Sequence, residues 1–428
     1  MKIILMRHFV IFLLLFVCFG ALHAQFEKSF EFRSLRIDYV HAGNHQSEWF
    51  ALDELLVEPY WGGSHNNLID TFNYGQQRVE VRNPETGNLL YSRGYNSLFG
   101  EWQTTTEARE INRSFTETVV IPFPLIPVKV SLLSRDKSGE FISRFEMMIN
   151  PDDYFIKPIH RNRFPVTDIE VNANSSKAVD IVLLPDGYTI HELDKFVSDC
   201  RQFAGSLFGF HPYDSLRSRF NIRAVLAPSE DSGVDVPADS VWKNTILSTS
   251  FYTFDSERYC MTFDHKSVRD LASNAPYDQI YILTNTDKYG GGGIFNFYSL
   301  SSSSNRYSAA ILVHEFGHGF AGLGDEYYTS STAYNDFYNL DIEPWEPNLT
   351  TLINFDSKWK HLLDPDTPVP TPSDSMYLNK TGVFEGGGYV AKGIYRPAHD
   401  CLMHSFNNNR FCAACEEAIR NMVNFYSE

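Results

Sequence analysis

The chain is 428 residues long, 43% hydrophobic, 15% aromatic and 21% charged, a composition that supports a packed core and excludes a disordered tail or a coiled coil. Its 36 basic and 53 acidic residues give a formal charge of −17 with no run of Lys or Arg, which excludes a nucleic-acid backbone as partner and disfavours an anionic membrane surface. At roughly 150 residues per domain, the length fits two domains, at most three.

Lys2 and Arg7 flank the start of an apolar run from Phe9 to Phe19, and Ala21-Leu22-His23-Ala24-Gln25 follows with a small residue at the cut. This order predicts a signal peptide over residues 1–24. No later stretch is long and apolar enough to span a bilayer, so the mature chain is expected to be exported (secreted, periplasmic or at the cell surface) without stable membrane insertion. Removing residues 1–24 takes Lys2 and Arg7 with it and leaves 34 basic against 53 acidic residues, a charge of −19. Five cysteines remain, Cys200, Cys260, Cys401, Cys412 and Cys415, too few for a disulfide scaffold and odd in number. Cys412-Ala-Ala-Cys415 has redox or half-zinc-site spacing, but a second Cys-x-x-Cys is absent. A local disulfide that draws in Cys401 is the expectation for an oxidising compartment.

Residues 25–160 alternate with period two between turns, as in Arg33 to Tyr39, Gln77 to Val81 and Val128 to Leu133. Short strands at regular spacing predict a β-sandwich-like accessory domain. Ile121-Pro122-Phe123-Pro124-Leu125-Ile126-Pro127 cannot be a central strand, because each proline removes a ladder donor, and reads as an edge or a crossing between sheets. No titratable cluster stands out in this half, which points to packing or positioning.

From residue 161 to 428 the pattern changes. Val179 to Leu184 reads as a buried strand ended by Pro185-Asp186-Gly187-Tyr188, and Thr189 with Glu192 forms a capping box for a helix carrying Phe196, Cys200, Phe203 and Leu207 on one stripe. Further strands follow at Phe220 to Leu226 and Gln279 to Leu283, with a helix at His265 to Leu271 between them. This order predicts an α/β layer with a mostly parallel sheet. The glycines at 290–293 are no phosphate loop, because no Gly-Lys-Ser/Thr follows, and a strand is expected after them at Ile294 to Leu300.

A helix from about Tyr307 carries His314-Glu315-Phe316-Gly317-His318. Two histidines four apart share one helix face and can hold a single Zn²⁺, while Glu315, one step round, can reach a metal-bound water and accept its proton. A chance match to this pattern in such a chain is expected on the order of 0.03 times. A hydrolytic zinc site uses three protein ligands. Gly322 and Gly324 can break the helix and return the chain, which makes Asp325 the candidate third ligand and Glu326 the runner-up. The last helix, with Cys415, Ile419, Met422, Val423 and Tyr426 at helical spacing, reads as core.

His314 to His318, Gly322, Asp325-Glu326-Tyr327, Tyr395-Arg396-Pro397, Cys401-Leu402-Met403 and Phe411-Cys412-Ala413-Ala414-Cys415 together resemble the immunoglobulin A peptidase family of secreted zinc metallopeptidases, the igalysins of the metzincin group. The resemblance runs from about Val179 to the C-terminus, and the β-rich N-terminal half suits that family's accessory domain. It implies a metzincin-like catalytic domain, cleavage of a protein or peptide substrate such as immunoglobulin A or another host protein, and a Met-turn at Met403. It also implies a transition-state tyrosine near that turn, at Tyr395 or Tyr389, and an edge strand along which substrate lies extended. The general metzincin spacing would place the third ligand at Gly324; one extra residue moves it to Asp325. The expected function is an exported zinc endopeptidase, against the alternative of a non-catalytic exported binding protein with a structural or vestigial zinc site. Nothing in the sequence fixes the substrate, the oligomeric state or zymogen activation.

Overall fold

In the computed structural model, residues 26–159, 163–328 and 338–428 are described; the expected signal peptide, residues 1–24, lies outside them. The N-terminal strands are β1 (Phe30–Gly43), β2 (Glu48–Glu58), β3 (Gln77–Arg82), β4 (Leu89–Tyr95), β5 (Arg113–Pro124), β6 (Val128–Arg135), β7 (Phe141–Ile149) and β8 (Lys157–Pro158). They form two four-stranded sheets, ordered β5-β1-β2-β8 and β4-β3-β6-β7. Leu35, Ile37, Val119 and Ile121 of the first meet Val79, Val81, Val130 and Leu132 of the second in one core, the packing of a sandwich. Pro122 and Pro124 sit on β5, an edge strand paired only with β1, and the chain then crosses to β6 in the other sheet. Both sequence expectations for the proline-rich segment hold, because an edge strand leaves one side without ladder partners.

Beyond Pro158 the chain joins a six-stranded sheet ordered β13-β14-β12-β10-β11-β9. Its strands are β9 (Val166–Val171), β10 (Val179–Asp186), β11 (Phe220–Val225), β12 (Gln279–Thr284), β13 (Gly291–Ile294) and β14 (Tyr298–Ser302). The four inner strands are parallel; β9 and β13 run antiparallel at the edges. The helices include α1 (Leu98–Trp102), α2 (Leu193–Leu207), α3 (His265–Ala272), α4 (Ser308–Ala321) and α5 (Ala413–Ser427). Along β10, Ile181 and Leu183 pack on the face covered by α2, α4 and α5, while Val182 and Leu184 pack with Val268 and Leu271 of α3 on the other. Every residue of β10 and β12 is buried, as expected for parallel strands covered on both faces. The predicted capping box exists, with the Thr189 amide donating to Glu192 at 2.9 Å. A hairpin of β15 (Phe384–Gly387) and β16 (Val390–Arg396) precedes α5. No helix of the described residues is long and apolar enough to cross a membrane.

The strand expected at Ile294 to Leu300 is corrected. The glycines themselves form β13, and the chain turns at 295–297 into β14. A Cβ on Gly293 would stand 2.2 Å from the Glu315 carbonyl oxygen, so only glycine lets this strand lie against α4.

The sandwich and the six-stranded sheet are joined through the polar side of β1. Arg36 is fully buried and makes a two-pronged bond to Asp38, 2.7 and 2.8 Å, and a third to Asp270 of α3 at 2.6 Å. Thr118 also donates to Asp38 at 2.7 Å. Buried charges are tolerated only when paired and hydrogen-bonded in this way. Replacing Arg36 with Met should therefore deprive the buried carboxylates of Asp38, Glu58 and Asp270 of this cation and cost about 3–5 kcal/mol, read as a fall in the urea unfolding midpoint. A loss within error would show that this pair does not hold the two layers together.

Candidate metal centre

Helix α4 runs from Ser308 through Ala309-Ala310-Ile311-Leu312-Val313 and is buried along most of its length, packed against α2, α5 and the sheet. Near its C-terminal end it presents His314 and His318 one turn apart. The ring of each is fixed by a carbonyl: Nδ1 of His314 donates to Leu402 O at 3.0 Å, and Nδ1 of His318 to Leu323 O at 2.6 Å. A carbonyl can only accept, so each ring turns Nε2, with its lone pair, toward the other, 3.0 Å apart.

The helix ends at Gly322, whose φ of +65° is left-handed. An L side chain there would be strained, and its Cβ would stand 2.9 Å from the Trp345 ring. The reversal carries Asp325 across the imidazoles. Asp325 Oδ1 lies 3.1 Å from His314 Nε2 and 3.3 Å from His318 Nε2, is buried, and accepts no hydrogen bond. Its Oδ2 is held by the hydroxyls of Tyr327 at 2.9 Å and Tyr389 at 2.5 Å.

The donor set fits zinc. Metal bonds of about 2.0–2.1 Å at tetrahedral angles place neighbouring N and O donors about 3.3 Å apart, and the three atoms here are separated by 3.0, 3.1 and 3.3 Å. The electrostatics also call for a cation. Burial would lower the His318 pKa, but Asp325 overrides it and raises the ring to about 9. Burial would raise Asp325, yet the two histidines hold it well below the usual carboxylate range. Glu315 stands beside the pair, with a carboxylate oxygen within 4.8 Å of both rings. Burial pushes its carboxyl up, against the pull of His314 and His318.

These residues line a cleft of about 330 Å³ together with Arg258, Tyr259 and Gly291 to Gly293 of the edge strand β13. Sequence reasoning missed one further member. Glu101, on α1 of the N-terminal half, enters the same cleft, accepts a short hydrogen bond from Tyr259, and is pushed up to about 7 by burial. No motif marks it; only the docking of the two halves brings it here. The N-terminal half therefore does more than pack, since it supplies an acid to the cleft wall.

The other expected residues are placed as follows. Met403 is buried below α4, its sulfur 3.1 Å from where a Cβ on Gly317 would sit. Glu326 points away from the imidazoles: its Oε1 accepts from Asn348 at 3.0 Å and faces Cys412 and Cys415. Asp325, and not the runner-up Glu326, thus meets the histidine pair. Tyr395 lies on β16, paired with Thr350, and does not line the cleft, whereas Tyr389 does. Of the two histidines that flank this stretch, for which the motif assigns no role, His404 reaches the cleft wall and His399 lies against Phe384.

Because Tyr327 and Tyr389 orient the carboxylate from behind, replacing both with Phe should weaken zinc binding about 10–100-fold, the range for partners that orient metal ligands. Competition with a chromophoric chelator measures it. An unchanged affinity together with a reduced kcat would instead make Tyr389 a group that acts on the substrate.

Comparison with family models gives two matches. IgA Peptidase M64 matches residues 168–381 and 373–423, and Peptidase M64 N-terminus matches residues 25–146. Comparison with curated proteins gives no match.

Proposed function

This chain belongs to the IgA peptidase M64 family, and from that premise we propose that it is an exported, zinc-dependent endopeptidase acting on extracellular proteins. In this reading residues 1–24 are a signal peptide, 25–160 an accessory unit, and 161–428 a metzincin-like peptidase unit. The observation that carries the proposal is the bare Oδ1 of Asp325 closing a triangle with two imidazole lone pairs, with a buried carboxylate beside it.

His314, His318 and Asp325 would hold the zinc, and the ion would supply a Lewis acid that acidifies water and polarises the scissile carbonyl. The chain's own residues do the rest. Glu315 is placed to take the proton of the attacking water and pass it to the leaving amine, and burial makes its carboxyl a better proton acceptor than an exposed glutamate. Leu402 O and Leu323 O keep both imidazoles in the tautomer that leaves Nε2 free. Beyond Gly291, whose amide and carbonyl are taken by Arg258 O and Cys260 N, the edge strand β13 lines the cleft with Gly292 and Gly293, where an extended peptide would add as a strand, a mode largely independent of substrate side chains. Immunoglobulin A, or another host protein reached outside the cell, is the substrate class we propose from the family.

Glu315→Ala should keep its zinc and lose at least about 10²–10⁴-fold in kcat/KM, measured on peptides found by cleavage-site profiling of a protein mixture. Undiminished hydrolysis would remove Glu315 as the base. A chelator should abolish cleavage by the wild type and added zinc should restore it. Zinc bound with no turnover on any protein would favour the non-catalytic binding protein.

A further inference from the structure

Cys401, Cys412 and Cys415 do not form the local disulfide expected from the sequence: all three are free thiols, and Cys401 and Cys415 place their sulfurs 3.8 Å apart. The carboxylate of Glu326 completes the group. One donor atom from each of Glu326, Cys401, Cys412 and Cys415 lies within 4.8 Å of all the others, in surroundings where Cys401, Cys415 and Glu326 are fully buried.

The distances are those of a tetrahedron. Zinc–sulfur bonds of about 2.3 Å place two sulfurs about 3.8 Å apart, and a zinc–oxygen bond of about 2.0 Å places oxygen about 3.5 Å from sulfur. The Cys401–Cys415 separation is 3.8 Å, and Glu326 Oε1 lies 3.3 Å from the Cys415 sulfur and 3.8 Å from that of Cys412. A van der Waals cluster of thiols would not need a carboxylate at one vertex.

One orphaned atom points the same way: Glu326 Oε2 is buried with no hydrogen-bond partner, while the nearby Arg396 donates its Nη1 to the carbonyls of Glu385 and Gly386. A buried carboxylate with a bare oxygen is costly unless a cation meets it. The backbone also favours sulfur anions. Cys412 caps the N-terminus of the fifteen-residue helix α5, where the dipole attracts negative charge, and its amide donates to the Cys401 sulfur at 3.3 Å.

We propose that Glu326, Cys401, Cys412 and Cys415 form a second, structural metal site that binds a thiophilic divalent cation, Zn²⁺ above all, and is distinct from the histidine centre. Binding would release the thiol protons to solvent and close all four positions with protein ligands, the mark of a structural site. Softness of the ligands selects zinc over magnesium or calcium. The site ties two segments that build the other centre to the start of α5. Glu326 follows Asp325, Cys401 precedes Leu402 and Met403, and the Glu326 amide donates to Met403 O at 2.8 Å. Asp325 faces the two imidazoles and Glu326 the thiols, so each neighbour would meet a different cation.

The test is cobalt substitution of the whole wild-type chain, because a thiolate–Co²⁺ bond gives an intense near-ultraviolet charge-transfer band that the sulfur-free centre of His314, His318 and Asp325 cannot produce. The expected result is that band, with two metal ions per chain by elemental analysis. His314→Ala should keep the band and lose one ion; Cys412→Ser should lose the band and one ion while the fold, checked by circular dichroism, persists. Absence of the band in folded, cobalt-loaded wild type would overturn the proposal. So would a disulfide among Cys401, Cys412 and Cys415 in unreduced peptides by mass spectrometry. Either outcome leaves the histidine centre and its activity untouched, so the two assignments fail separately.

Discussion

The centre depends on a single backbone reversal. Two imidazole nitrogens and a carboxylate oxygen stand 3.0–3.3 Å apart, and the chain brings them there because α4 stops at a residue that accepts left-handed φ. Gly322 turns the chain under its own helix. That one turn places Leu323 O against His318 and, two residues later, Asp325 across both rings. Everything else at the site secures that geometry: two tyrosines hold the far carboxylate oxygen, and Leu402 O holds the far ring of His314.

The surrounding fold explains how the geometry is held rigid. Helix α4 lies between β13 and β14 on one side and α2 and α5 on the other, so the histidines cannot swing away from each other without opening a packed core, where each large side chain lost costs a few kcal/mol. The sandwich adds a second constraint. Through Arg36 and Asp270 it is bound to α3 by buried charge, and its helix α1 carries Glu101 into the cleft. A half with no motif of its own thereby shapes the cavity in which the reaction would take place.

Much of this was legible in the residues, and unevenly so. The capping box at Thr189, the β-branched and apolar run within β10 and the prolines of β5 declared their elements because each rests on a local rule: a side chain that caps, a strand covered on two faces, a missing amide. The histidine pair was legible for the same reason, since a four-residue spacing on a helix fixes a shared face. The glycine strand was not, because glycine promotes no strand by itself. Its place in the sheet follows from the approach of α4, which excludes a Cβ at Gly293. The cysteines misled in another way: Cys-x-x-Cys in an exported chain reads as a disulfide, and nothing local shows that Glu326 completes the group.

By itself, the sequence determined the order of elements, the pair of imidazoles with the glutamate beside them, and the choice of a carboxylate after a glycine turn as the third donor. Those follow from periodicity and spacing, which act over one or two turns of chain. Only the tertiary structure decided that Asp325 and not Glu326 meets the histidines, that Tyr389 and not Tyr395 stands at the cleft, that Glu101 arrives from the other half, and that three cysteines gather about Glu326 as free thiols. Each of these choices depends on which way a side chain points once distant segments are packed. Asp325 and Glu326 are neighbours of like chemistry, and the packing around each gives them different partners.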